Sequence, residues 1–194
     1  MKKFNTFFFL LLSITLCLIT FYPQQIQAHK KHTKHAKTNT TSPNNLIETA
    51  CQKAPHKKLC INMLESDPST NGADLKGLAL ISIKLAASNA SDIAEHVKIL
   101  FNDTSLDPAV QDGVSECLEH YLDAAEQLDD AVAALLVKAY NDVETWVNVA
   151  LGDADMCDAA LGENDKVMAG KPEVFRQLCN NGLALSKVVA HKHK

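Results

Sequence analysis

The chain has 194 residues, 19 Lys plus Arg against 23 Asp plus Glu, and 46% hydrophobic residues, enough for one buried core. The formal charge of −4 argues against a nucleic-acid partner, which calls for a basic face. That charge is unevenly spread: all the acidic residues lie between Glu48 and Glu173, and residues 38–190 carry 11 cations against those 23 carboxylates, a net of −12.

Lys2 and Lys3 precede an apolar run from Phe7 to Tyr22, and Ile26-Gln27-Ala28 follows with a small residue at the point of cleavage. Residues 1–28 therefore read as a secretory signal peptide. The run is short of the ~20 residues a spanning helix needs, so no membrane anchor is expected. Cleavage after Ala28 removes Cys17 and sends the chain to an oxidising, extracellular-type compartment, where cysteines pair. Residues 29–43 begin HKKHTKHAK and lack apolar periodicity; they read as a basic, His-rich, disordered arm. A second basic tail, His191 to Lys194, follows the domain expected over 44–190.

Within that domain helical signals dominate. Leu46, Ile47 and Ala50 suggest a short first helix, and Leu59, Ile61, Met63 and Leu64 a second, with Pro55 breaking the chain between them. A long segment over 73–101 is apolar nearly all round in its first half, as expected for a helix buried on more than one side. The next helix opens at Asp107-Pro108, an N-cap and first-turn pair. Val114, Leu118, Tyr121, Ala125, Leu128, Val132 and Leu135 then recur at helical spacing. Further helices are expected from Asp142, carrying Trp146 on a core stripe, and from Pro172. No alternating apolar run or hairpin turn suggests a strand. The fold class is all-α: an antiparallel four-helix bundle preceded by a short helical hairpin.

Five cysteines remain after the leader. Five choices of the free thiol, each with three pairings of the other four, leave the connectivity open. Cys51 and Cys60 flank a turn that could bring them within bonding range, and Cys117 and Cys157 face inward from neighbouring helices. Cys179, on the last helix, reads as a buried free thiol.

No catalytic constellation is apparent: there is no G-x-S-x-G, no H-E-x-x-H and no Gly-rich phosphate loop. No C-x-x-C occurs, and no metal or other cofactor is expected. His29, His32 and His35 are spaced for weak metal binding, but a solvated basic arm explains them more simply. That arm could make weak contact with an acidic polysaccharide such as pectin. His96 and His120 lie near carboxylates and read as surface pairs. Asn39, Asn89 and Asn102 open N-x-[ST] sequons, with Asn102 in a turn and Asn89 mid-helix.

Five stretches in this order carry a resemblance: NNLIETACQKAPHKKLC, ESDPSTNGADLKGLALISI, ECLEHYLDAAEQL, ETWVNVALGDADMC and LCNNGLALSKVVA. The chain resembles the plant invertase and pectin methylesterase inhibitor family over roughly 44–190. The resemblance implies a four-helix bundle with an N-terminal hairpin and two disulfides, Cys51–Cys60 and Cys117–Cys157, leaving Cys179 free. It implies no enzyme activity but a reversible one-to-one complex over the substrate cleft of a target enzyme. The invertase-directed branch often carries Pro-Lys-Phe before the helix with the fourth cysteine; here Lys138-Ala139-Tyr140-Asn141-Asp142-Val143 stands instead. Pectin methylesterase is accordingly the expected partner, with acid invertase as the alternative and a tail-driven polysaccharide or metal binder as a third reading. The resemblance places the docking face on the middle bundle helices, where Glu116, Asp123, Gln127 and Asp130 are the candidates.

Overall fold

A computed structural model describes residues 43–192; the leader, the His-rich arm with Asn39, and the last two residues lie outside that range. Six α-helices follow one another: α1 (Pro43–Ala50), α2 (Lys57–Ser66), α3 (Leu75–Phe101), α4 (Pro108–Leu136), α5 (Tyr140–Leu161) and α6 (Lys171–Lys192). Three 3-10 segments, Cys51–Lys53, Pro68–Thr70 and Gly162–Met168, serve as connections, and no strand occurs among the described residues. The last four helices form an antiparallel ring in which each packs on its two neighbours, α3 on α4 and α6, α5 on α4 and α6. α1 and α2 form the hairpin laid against α3 and α6.

Local chemistry sets the boundaries. Asp74 caps α3 by accepting from the Gly77 N–H at 2.7 Å. Asp107 caps α4 by accepting from the Ala109 N–H at 2.9 Å, with Pro108 following where its missing N–H costs nothing. α4 ends in a six-to-one and five-to-two pattern: Ala139 N–H donates to Ala134 and Lys138 N–H to Leu135, with Lys138 left-handed at φ 64°. This is a Schellman end built on lysine where glycine is usual, and it turns the chain into α5 within three residues.

The buried face of α4 is wider than the large apolar residues suggest. Leu118 and Ala125 are only half-buried, whereas Gly113, Cys117, Ala124, Ala131 and Ala134 are buried. Small residues bring α5 close: a methyl group added at Gly113 would stand 2.6 Å from the Ala160 carbonyl oxygen. Across the bundle the Tyr121 and Phe175 rings meet edge to face, centroids 5.5 Å apart, joining α4 to α6. Trp146 is not a core residue in full: it is half-buried and packs against the edge of the core.

Two disulfides join cysteines that are buried at both ends. Cys51–Cys60 spans the hairpin with Cα atoms 5.8 Å apart, and Cys117–Cys157 ties α4 to α5 with Cα atoms 4.4 Å apart. Cys179 is free and 1% exposed, and burial pushes its thiol pKa up, so it stays protonated and unreactive at neutral pH.

One contact fixes the hairpin to the bundle. Asn181 of α6, 1% exposed, accepts from the His56 N–H at 3.0 Å and donates to the His56 carbonyl at 3.1 Å. Its amide thus closes a two-bond clamp on the turn between α1 and α2.

A candidate docking face on α4 and α5

α4 and α5 hold 12 of the chain's 23 carboxylates. α4 carries Asp112, Glu116, Glu119, Asp123, Glu126, Asp129 and Asp130; α5 carries Asp142, Glu144, Asp153, Asp155 and Asp158; neither helix contains a lysine or arginine. The two flanks of α5 treat their carboxylates differently. On the α6 side, Arg176 donates to Asp155 at 2.8 Å and to Asp158 at 2.6 Å, and Lys187 donates to Glu144 at 2.7 Å. The carboxylates of α4 have no such partner: among the described residues none is within ion-pair distance of a lysine or arginine.

Periodicity arranges these acids. Glu116, Asp123 and Asp130 are spaced by seven, so they form one exposed row along α4, about 21 Å long at 1.5 Å per residue. Glu119 and Glu126 run beside it and are also exposed. Gln127 is set back from the row: it is half-buried, and its Oε1 is covered without a hydrogen-bond partner in the protein. The structure thus brings together three of the four candidate residues and places the fourth in the α4–α5 seam.

That seam has a defined register. Gly113 lies against Ala160, and seven residues further along α4 His120 Nδ1 lies 3.3 Å from Asp153 Oδ1. Stepping seven more sets Gln127 opposite Trp146. His120 and Asp153 are both largely covered, and Asp153 Oδ2 has no protein partner. Burial raises the Asp153 pKa above its ordinary value, opposed by the hydrogen bond and charge of His120. Just outside Asp153 on the same flank of α5 stand Val149 and Met156, exposed by 41% and 56%. The face is therefore an acidic ridge on α4 beside a short apolar ridge on α5, with a histidine–aspartate pair between them.

Chemically this arrangement offers recognition and not bond making. Among the described residues the other histidines do not converge with it: His96 Nε2 lies 3.3 Å from the Val167 carbonyl oxygen, His56 is in the hairpin turn, and His191 is in the last turn of α6. Of the sequons inside the described residues, Asn102 is exposed at the end of α3, while Asn89 is half-buried within α3 with its Oδ1 covered. Sequence reasoning missed the His120–Asp153 pair and Asn181. The first is invisible without a register between α4 and α5. The second carried a signal, a polar residue standing on the apolar stripe between Leu178 and Leu185.

Comparison with known proteins gives this scaffold its class. The family model described as "Plant invertase/pectin methylesterase inhibitor" matches residues 45–185. The chain belongs to that family. Its members are proteinaceous inhibitors, and it is not an enzyme. A pectinesterase inhibitor from Actinidia deliciosa is 31% identical over 142 residues, covering 73% of this chain and 72% of the relative. A cell wall/vacuolar inhibitor of fructosidase from Arabidopsis thaliana is also 31% identical, over 122 residues, covering 63% and 66%. A crystal structure of a mutant pectin methylesterase inhibitor from Arabidopsis superposes with a TM-score of 0.60 at 21% identity, covering 73% of this chain and 95% of that one, a likeness of fold.

Proposed function

We propose that this protein is a secreted inhibitor of pectin methylesterase that binds one-to-one over the enzyme's substrate cleft through the α4–α5 face. The observation that carries the docking face is the uncompensated acidic row Glu116, Asp123 and Asp130 beside exposed Val149 and Met156, on two helices free of lysine and arginine. Such a face suits a partner with a cationic rim: complementary charge speeds and orients encounter, and the apolar ridge supplies area to bury. The disulfide between Cys117 and Cys157 crosses the two helices that form it, so little conformational entropy is lost on docking. Pectin methylesterase is favoured as the target because the α4–α5 connection around Lys138 lacks the Pro-Lys-Phe motif of the invertase-directed branch.

Acid invertase is the second reading, favoured by the equal identity to an inhibitor named for fructosidase. Titration of purified protein against a pectin methylesterase and an acid invertase, at several pH values, separates the two. Stoichiometric inhibition of the methylesterase alone is expected. Inhibition of the invertase alone transfers the assignment, and inhibition of neither overturns the inhibitor reading for both targets.

A further inference from the structure

A second exposed patch lies on the other flank of α4. Between α3 and α4 runs a groove of about 480 Å³ with Ala94, Phe101, Leu118 and Leu122 among its walls and Lys98 and Asn102 at its rim. Phe101 is 45% exposed and Leu122 52%. The groove walls are more apolar than polar, so a group with an apolar face would bury area there.

We propose that Asn102 carries an N-linked glycan whose first sugar lies on Phe101 and Leu122, covering the α3–α4 groove and leaving the α4–α5 face as the open docking surface. Asn102-Asp103-Thr104 is a complete sequon at the end of α3, and all three residues are exposed. Asn102 Nδ2 donates one hydrogen to the Lys98 carbonyl oxygen at 2.7 Å. An amide nitrogen has two hydrogens, so the second is free to be replaced by the sugar while the first keeps the side chain oriented along the groove. In the transfer, a bond forms between Nδ2 and C1 of the reducing-end sugar. The C1–O bond to the lipid-pyrophosphate donor of the secretory pathway breaks, Nδ2 gives up a proton, and the lipid pyrophosphate leaves. The sugar's C–H face then meets the Phe101 ring, removing apolar area on both sides from water. Asn89 is a different case: it lies inside α3, half-buried, with Oδ1 covered, so a glycan there conflicts with packing.

The choice of face rests on the proposed inhibitor function; the glycan does not. The test is secretion of the full chain from eukaryotic cells behind a proven heterologous leader, so that the native leader is not in question. Glycopeptide mapping is expected to find Asn102 occupied and Asn89 empty. An environment-sensitive apolar dye is expected to bind several-fold more to the enzymatically deglycosylated protein, or to Asn102→Gln, than to the glycoprotein. Adding Phe101→Ser and Leu122→Ser to Asn102→Gln should remove that gain. An empty Asn102 on the secreted protein, or equal dye binding with and without sugar, overturns the proposal. Inhibition should be the same in both forms; loss of inhibition on deglycosylation overturns the assignment of faces. Absence of inhibition from both forms refutes the proposed function and leaves the dye and mapping results to decide the glycan.

Discussion

Replacing Asn181 by alanine tests whether the hairpin is held by its cysteines alone or also by the bundle. The side chain makes two hydrogen bonds to the backbone of His56, at 3.0 and 3.1 Å, from a position 1% exposed. Each bond has a net value of about 1 kcal/mol. Removal also leaves the His56 N–H unpaired with reduced access to water, at about 1 kcal/mol or more, while the His56 carbonyl keeps the Cys60 N–H at 2.9 Å. The expected loss is therefore about 2–4 kcal/mol, or roughly 5–15 °C in Tm for a domain of this size. Asn181→Leu, which conserves volume, should lose a similar amount, because the missing partners and not the missing atoms are at fault. Urea unfolding under non-reducing conditions measures the loss. Amide exchange locates it, with faster exchange expected over residues 43–66 while the middles of α4 and α5 stay protected. A loss under about 0.5 kcal/mol in both variants, the level of an ordinary surface substitution, would refute the clamp.

Two glycines give opposite expectations. Gly113→Ala drives a methyl group against the Ala160 carbonyl at 2.6 Å and should destabilise by about 1–2 kcal/mol net of helix propensity, whereas Gly152→Ala, with nothing within 4 Å, should stabilise by about 0.5–1 kcal/mol; thermal melts compare the pair. Converting both cysteines of a bridge to alanine should cost roughly 4 kcal/mol for Cys117–Cys157, which spans 40 residues, and roughly 2.5 kcal/mol for Cys51–Cys60, which spans 9, on chain entropy alone; equilibrium unfolding ranks them. Asp153 keeps its proton in the folded protein at a pH where the unfolded chain has lost it, so its contribution to stability falls as pH rises from about 4 through its raised pKa. Relative to wild type, Asp153→Asn should therefore gain stability across that rise, as read from denaturation midpoints at stepped pH. Combined Glu116→Ala, Asp123→Ala and Asp130→Ala should weaken inhibition by tenfold or more and flatten its salt dependence, with Gln127→Ala much less damaging; an unchanged inhibition constant discards the face.

Much of the scaffold was legible because its signals are local. Asp107-Pro108 opens α4 where a capped proline must, and Asp142 and Pro172 lie within two residues of the true starts of α5 and α6. What escaped depends on how close two helices come. Large apolar residues mark a stripe on α4, and Cys117 is expected to face α5, yet the close approach of the two helices rests on Gly113 against Ala160, and a glycine carries no apolar signal. The stripe on α5 places Trp146 in the core, but a residue of that volume fits only at the edge of a seam lined by small residues. The candidate docking residues divide similarly: the resemblance points to Glu116, Asp123, Gln127 and Asp130 alike, the three acids share one exposed row, and the half-buried place of Gln127 depends on the register with α5.

The sulfur, the glycines and the acidic row belong to one physical arrangement. Gly113 lets α5 approach, Cys117–Cys157 locks the approach at a Cα distance of 4.4 Å, and His120–Asp153 fixes the rotation of one helix against the other. With spacing and rotation set, the positions of Glu116, Asp123 and Asp130 relative to Val149 and Met156 follow without any further interaction between those exposed side chains. Mutually repelling carboxylates cannot hold such a row together by themselves; at low ionic strength they cost stability. The internal seam must offset that repulsion, which accounts for a disulfide lying beneath the most acidic surface of this protein.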